Sequence, residues 1–148
     1  MRRPVPLATV EMTKLGATKL RQPAQRTMEL AEALYQSGFV SYPRTETDSF
    51  PATMDLAALV QLQTGHSEWG QYATGLLGGR MVLPPRNGGH DDQAHPPIHP
   101  LRAAERGAVP ADQWPVYELI TRHFLATVRG LSLSCMQLDR ISILDLVR

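Results

Sequence analysis

A tyrosine and an arginine stand two residues apart in the segment Gly38–Asp48, which reads GFVSYPRTETD. Side chains two apart in an extended chain point to the same face, and the intervening Pro43 disfavours a helix. We therefore expect Tyr42 and Arg44 to project side by side from a stiff, non-helical turn. A phenol beside a permanent cation suits attack on a phosphodiester, because guanidinium donors match phosphate oxygens. Spacing alone favours the alternative, an ordinary surface turn.

A second group of reactive side chains lies in residues 78–100, a segment rich in Gly, Pro, Asn and Asp. This composition predicts a loop, and its concentration of histidines and acids between prolines favours an ordered site loop over a linker. One alternative is a loop-built metal site from His90, Asp91, Asp92, His95 and His99. The two prolines between His95 and His99 exclude ligands at i and i+4 of one helix. The other alternative is a histidine that hydrogen-bonds the phosphate attacked by Tyr42.

Composition places the chain among ordinary globular proteins of one domain, with 148 residues, 43% hydrophobic and 20% charged. No apolar run is long enough to span a bilayer. The lone Cys135 excludes a disulfide framework and a thiolate zinc site within this chain. These features are typical of an intracellular protein.

Charge is uneven along the chain. Residues 1–30 hold six Lys/Arg against two acids, whereas residues 31–100 hold three against seven. A basic segment beside an acidic, histidine-bearing one is compatible with a nucleic-acid track next to a reactive region. Lys14, Lys19 and Arg21 are therefore candidate phosphate contacts, with a purely solubilising role as the alternative.

The pattern of apolar residues predicts a mainly α fold. Residues 4–12 are expected to be extended, and a helix is expected from Ala24 to Ser37, after Pro23 and closed by a left-handed Gly38. Thr27, Leu30, Ala31 and Leu34 form its inward stripe, and Tyr35 is expected to pack beside them. Two further helices are expected, one from Ser49–Pro51 towards Gly65 and one over residues 67–77. A last helix is expected from about Asp112, as N-cap, to Val128. Residues 131–148 are expected to add a strand or two.

Three other side chains are expected to pack rather than react. Trp69 is interpreted as a packing anchor, and His123 as a core or boundary histidine among apolar neighbours. The inward stripe of the last helix is expected to consist of Val116, Leu119, Ile120, His123, Phe124 and Thr127.

The segment Gly38–Asp48 resembles the active-site tyrosine segment of type IA DNA topoisomerases, nearest to the topoisomerase III branch. The preceding helix, residues 24–37, resembles the helix before that tyrosine. PRNG at 85–88 followed by DQAHPPIHP at 92–100 resembles the family's second signature, and YELI and RHFLA at 117–126 resemble the following helix. The resemblance is collinear over residues 4–127.

The resemblance implies a transesterification in single-stranded DNA. Tyr42 would remain joined to the 5′ phosphate, Arg44 would stabilise charge on that phosphate, and His95 would contact it, with Thr45 in a supporting or phosphate-binding role. It also implies a domain with helix-turn-helix (CAP-like) character over residues 1–128. The tail, residues 129–148, is expected not to be family-like.

Members of this family complete the site with a separate Toprim domain that binds Mg²⁺. No Asp-x-Asp-x-Glu set stands in this chain, so the chain is expected to be a fragment that is inactive alone and holds no metal ligands. The resemblance further implies single-stranded DNA as partner, helicase or OB-fold proteins as further partners, and a nuclear location. The alternative is a catalytically inactive module that binds single-stranded DNA.

Overall fold

Five α-helices make up the regular structure of residues 2–130, the part of the chain that the structure, a computed structural model, describes. They are α1 (Thr9–Lys19), α2 (Ala24–Gln36), α3 (Leu56–Gln61), α4 (Gly70–Gly75) and α5 (Trp114–Val128), with a π-helical turn at Leu76–Arg80. The described residues form no β-strand, only isolated bridges, so the predicted mainly α class is confirmed. None of these helices is long and apolar enough to cross a membrane. The strands expected in residues 131–148 lie outside the described residues.

Helix α2 follows its sequence pattern closely. It starts at Ala24 after Pro23 and ends one residue before the expected position, and Gly38 has a φ of +80°. The predicted stripe of Thr27, Leu30, Ala31 and Leu34 is buried. Tyr35 lies beside this stripe, as expected, but it is 38% exposed, so it is at the edge of the buried face.

Helix α1 was missed by the sequence analysis. The chain is extended only to Leu7, which pairs with Ile98, and the helix begins at Thr9. Its β-branched residues and its glycine have low helix propensity, but packing against α2 outweighs this. Gly16 is buried at the contact, where an added Cβ would collide with the Thr27 side chain. Lys14 and Lys19 therefore lie on a helix rather than in front of one.

Helix α5 is the centre of the core. Its expected inward stripe is buried, but so are most of its other faces, including Thr121 and Arg122, as is typical of a central helix. The helix begins one residue later than an N-cap at Asp112 predicts: Gln113 precedes the first helical residue, and the Asp112 carboxylate instead accepts a hydrogen bond from Arg26 at 2.9 Å.

Helices α3 and α4 come after the connection that follows α2, and both pack residues into the hydrophobic core. Helix α3 begins later than expected, after Asp55, whose carboxylate accepts from the Ala58 N–H at 3.0 Å. Trp69 packs as predicted, fully buried, with its ring 3.6 Å from the His66 ring. Residues 37–55 separate α2 from α3, a longer connection than the short turn of a helix-turn-helix. That character is not confirmed.

Two buried histidines, His99 and His123, are expected to make the fold sensitive to acid. His123 is buried as expected and donates from Nε2 to the Val5 carbonyl at 2.9 Å. His99 donates from Nδ1 to the Pro97 carbonyl at 2.7 Å. Burial lowers the pKa of both imidazoles, because it penalises the charged ring.

The chain is expected to lose stability on acidification. Below the ordinary histidine pKa, about 6.5, the unfolded chain takes up protons that the buried rings exclude, so the free energy of unfolding falls as pH drops. Thermal melts between about pH 8 and pH 5 measure this slope. His123→Gln, which retains a donor for Val5, is expected to reduce it; an unchanged slope in that variant would contradict the assignment.

Candidate active site

The site is built on an extended segment, residues 40–47, that follows α2. Its side chains alternate: Pro43, Thr45 and Thr47 are buried, whereas Tyr42 is half-buried and Arg44 is exposed. This period of two is that of an extended chain, and Pro43 disfavours any helical alternative. Tyr42 and Arg44 thus lie on the outward side of the segment, as the sequence indicates.

Thr9, the first residue of α1, holds the backbone of this segment in place by hydrogen bonds. Its Oγ1 donates to the Pro43 carbonyl at 2.7 Å and accepts from the Thr45 N–H at 2.8 Å. Its own N–H donates to the Thr45 carbonyl at 3.0 Å. The start of α1 therefore fixes the backbone between Tyr42 and Thr45. Sequence reasoning missed Thr9, and no local signal marks it.

Tyr42 lies in a row of three rings. The Tyr35 ring, from α2, meets it edge-on with 5.2 Å between centroids. The His95 ring lies on it at 4.6 Å and an angle of 37°. The structure thus brings together the tyrosine and the histidine that the sequence singled out, although 53 positions separate them.

Arg44 forms an ion pair with Glu32 of α2, with 2.6 Å between Nε and Oε1. Glu32 and Tyr35 are three residues apart on one face of α2. Glu32 contacts Arg44 and Tyr35 contacts Tyr42, and these two partners are two residues apart on one face of the segment. The pair is largely exposed, the Arg44 side chain being 60% accessible. Because such a pair contributes little stability, a phosphate oxygen can replace Glu32 at the guanidinium at small cost. Glu32 was not found from the sequence.

Asp92 holds the loop that carries His95. Its Oδ1 accepts from the N–H groups of His95 at 2.8 Å and Ala94 at 2.9 Å, and its Oδ2 accepts from the Thr45 hydroxyl at 3.2 Å. These backbone donors, led by His95, hold the pKa of Asp92 far below its usual range. The Asp92 N–H in turn donates to Thr47 Oγ1 at 3.0 Å. The carboxylate therefore joins the His95 loop to the tyrosine segment.

Thr45 also joins the His95 loop to the tyrosine segment. Its side chain is buried, and its hydroxyl contacts Asp92 and the His95 carbonyl, the latter at 3.3 Å. In this position it supports His95 and does not present its hydroxyl to the outer face.

The other two histidines of the loop, His90 and His99, make their hydrogen bonds with residues other than Tyr42. His99 is buried, and its N–H donates to Ser41 Oγ at 3.0 Å. His90 pairs through Nδ1 with Asp48 at 3.1 Å, where the backbone of Gly88 lies against the same carboxylate. Within residues 2–130, no three His, Cys, Asp or Glu side chains converge to hold a metal ion. The loop is thus ordered by contacts with residues 41–48, and its candidate ligands do not form a metal centre.

The predicted basic contacts are spread along α1 and beyond it. Lys14 is 71% exposed and lies 4.0 Å from Glu11. Lys19 is in the last turn of α1, and Arg21 follows the helix with a φ of +54°. At 1.5 Å per residue, Lys19 lies about 15 Å along the axis from Thr9. These residues are not part of the Tyr42–His95 cluster, and a role for them requires a ligand that extends along α1.

Comparison with known proteins identifies the family of this chain. A family model described as DNA topoisomerase matches residues 1–131. DNA topoisomerase 3 of Schizosaccharomyces pombe is 59% identical over 125 residues, which are 84% of this chain and 20% of that protein. DNA topoisomerase 3 of Caenorhabditis elegans is 53% identical over 126 residues, 85% of this chain and 16% of that protein. Human DNA topoisomerase 3-alpha is 48% identical over 124 residues, which are 84% of this chain and 12% of that protein.

The chain thus spans about a fifth or less of the length of these relatives. The family match nevertheless covers all of the described residues, including the Tyr42 segment and the His95 loop. The chain belongs to the type IA DNA topoisomerases, in the topoisomerase III branch.

Proposed function

We propose that Tyr42 is the nucleophile of an ATP-independent type IA DNA topoisomerase reaction. Its phenolic oxygen attacks a phosphodiester in single-stranded DNA, the new bond joins Oη to phosphorus, and the bond from phosphorus to the 3′ oxygen breaks. The phenol proton passes to a base, and the departing 3′ oxygen takes up a proton. Another strand passes through the gap, and the 3′ hydroxyl then reverses the reaction.

The observation that carries this proposal is the meeting of Tyr42 with His95. Their rings lie 4.6 Å apart at the outer face, and Arg44 projects from the same side of the segment. A phenol, an imidazole and a guanidinium together supply a nucleophile and two groups able to bind a phosphate. They are three of the parts that phosphoryl transfer to a tyrosine requires.

Arg44 and His95 have distinct proposed roles. Arg44 exchanges Glu32 for an oxygen of the attacked phosphate and stabilises the negative charge that develops there. His95 binds the same phosphate by a hydrogen bond and keeps it next to the phenolic oxygen of Tyr42, whose ring it contacts. Lys14, Lys19 and Arg21 are proposed to contact phosphates farther along the strand.

Mg²⁺ is proposed as the cofactor of the complete enzyme. The described residues do not fit a metal site of their own, so the ligands are assigned to a Toprim domain elsewhere in the protein. That domain is also the proposed source of the base that accepts the phenol proton.

The remaining assignments follow from the family. Residues 1–128 are proposed to form the tyrosine-bearing domain, with helix-turn-helix-like character in the arrangement of its helices. Its proposed partners are single-stranded DNA and helicase or OB-fold proteins. Because the substrate is DNA and the relatives named above are eukaryotic, the proposed location is the nucleus.

A second candidate is a module that binds single-stranded DNA without cleaving it. The ion pair between Arg44 and Glu32 is the observation behind this candidate, because a guanidinium that stays on Glu32 is not available to the attacked phosphate.

A segment exchange distinguishes the two. The matching segment of Schizosaccharomyces pombe DNA topoisomerase 3, 125 residues long, is replaced by this chain's residues. If the chain carries a competent tyrosine domain, the exchanged enzyme relaxes negatively supercoiled plasmid in the presence of Mg²⁺. Retained binding of single-stranded DNA without relaxation would favour the non-catalytic module.

A further inference from the structure

We infer that Tyr35 is a base-stacking residue that binds the nucleobase next to the phosphate attacked by Tyr42. The inference rests on the proposed function, because it places single-stranded DNA on this face. It adds a binding residue on α2, outside both the tyrosine segment and the His95 loop.

The first observation is the position of Tyr35 on its helix. It follows the buried Leu34, yet the residue is 38% exposed to solvent. An exposed aromatic ring by itself is ordinary. Tyr35 differs in that part of its ring is covered by the proposed nucleophile.

The second observation is the ring row itself. Centroids follow one another at 5.2 Å from Tyr35 to Tyr42 and at 4.6 Å from Tyr42 to His95. Edge-on and tilted contacts of this kind fix the mutual orientation of rings. Tyr35 is therefore held in place at the nucleophile before any ligand arrives.

The chemistry of the expected ligand matches this row. A base is attached one sugar away from its phosphate, so a phosphate held at the Tyr42 hydroxyl has its neighbouring bases within reach of Tyr35, whose ring centroid is 5.2 Å from that of Tyr42. Aromatic side chains bind single-stranded nucleic acid by stacking on the faces of bases, whatever their identity. Tyr35 thus supplies base contact without sequence preference, while Arg44 and His95 supply the phosphate contact.

The test measures binding of the 148-residue chain to a fluorescein-labelled oligo-dT and to an abasic oligonucleotide of the same length, by anisotropy. Tyr35→Ala is expected to weaken oligo-dT binding by about 5- to 150-fold, the range for loss of one base stack. Binding of the abasic strand is expected to be unchanged, because it offers no base. Tyr35→Phe, which keeps the ring, is expected to bind oligo-dT like the wild type.

Leu62→Ala is the matched control, since Leu62 is 45% exposed but lies at the end of α3. It should leave both affinities unchanged, and thermal melts verify that each variant is folded. An equal loss on the two strands in Tyr35→Ala, or no loss on oligo-dT, would overturn the inference and leave the proposed function standing. A wild-type chain that binds neither strand would overturn both.

Discussion

Tyr42→Phe, introduced into the segment-exchanged enzyme, is expected to abolish the covalent protein–DNA adduct and with it plasmid relaxation. The change removes one oxygen and keeps the ring, so the contacts with Tyr35 and His95 remain. In other enzymes, removal of the nucleophile lowers the catalytic rate by about 10⁴-fold or more. A decrease of that size in the rate of adduct formation is expected here. Adduct formation with a labelled oligonucleotide, trapped by denaturant, gives the measurement.

Tyr35→Phe is the control for this substitution, because it removes a hydroxyl from the adjacent ring. It is expected to retain adduct formation. An adduct that persists in the Tyr42→Phe enzyme would show that another residue is the nucleophile, and the account of this site would fail.

Asp92→Ala is expected to slow adduct formation by about 100-fold, a loss typical of a displacement near 1 Å at a reacting centre. The carboxylate holds the His95 backbone and the Thr45 hydroxyl at once. Without it, His95 is no longer fixed over Tyr42. Because Asp92 itself is not proposed to touch DNA, the cleavage rate should fall far more than the affinity for single-stranded DNA.

Two further variants separate positioning from a general loss of fold. Asp92→Asn keeps an oxygen that can accept from the two backbone N–H groups, so it should restore part of the rate. Asp91→Ala removes the neighbouring carboxylate, which accepts only from the Gln93 N–H at 2.8 Å among the bonds described, and should leave the rate unchanged. Equal rates in Asp91→Ala and Asp92→Ala would exclude a positioning role for Asp92.

The parts of the structure that were predictable are those with a local signal. Helix α2 has a regular apolar stripe bounded by Pro23 and Gly38, and it formed within one residue of its predicted end. The extended Tyr42 segment follows from Pro43, since proline restricts itself and its predecessor. In both cases the residues that determine the conformation are adjacent in sequence.

The parts that were missed depend on contacts between distant residues. Helix α1 was not recognised because Thr9, Val10 and Thr13 favour extended chain, whereas its contact with α2 at Gly16 stabilises the helix.

The partners of the site side chains were missed for the same reason. Glu32 lies 12 positions from Arg44, and Thr9 lies 36 positions from Thr45. A sequence pattern identifies an arginine able to bind phosphate, but only the packing of α2 shows which carboxylate holds it. The same limit applies to Tyr35: its position beside an apolar stripe predicted a packing residue, but not that it packs against Tyr42.

The most direct test of the central claim is the polarity of the covalent adduct. The segment-exchanged enzyme is incubated with one single-stranded oligonucleotide labelled at either its 5′ or its 3′ end and then denatured. If Tyr42 attacks as proposed and keeps the 5′ phosphate, the 3′ label migrates with the protein and the 5′ label is released on a fragment ending in a 3′ hydroxyl. Protein carrying the 5′ label, or neither label, would contradict the account.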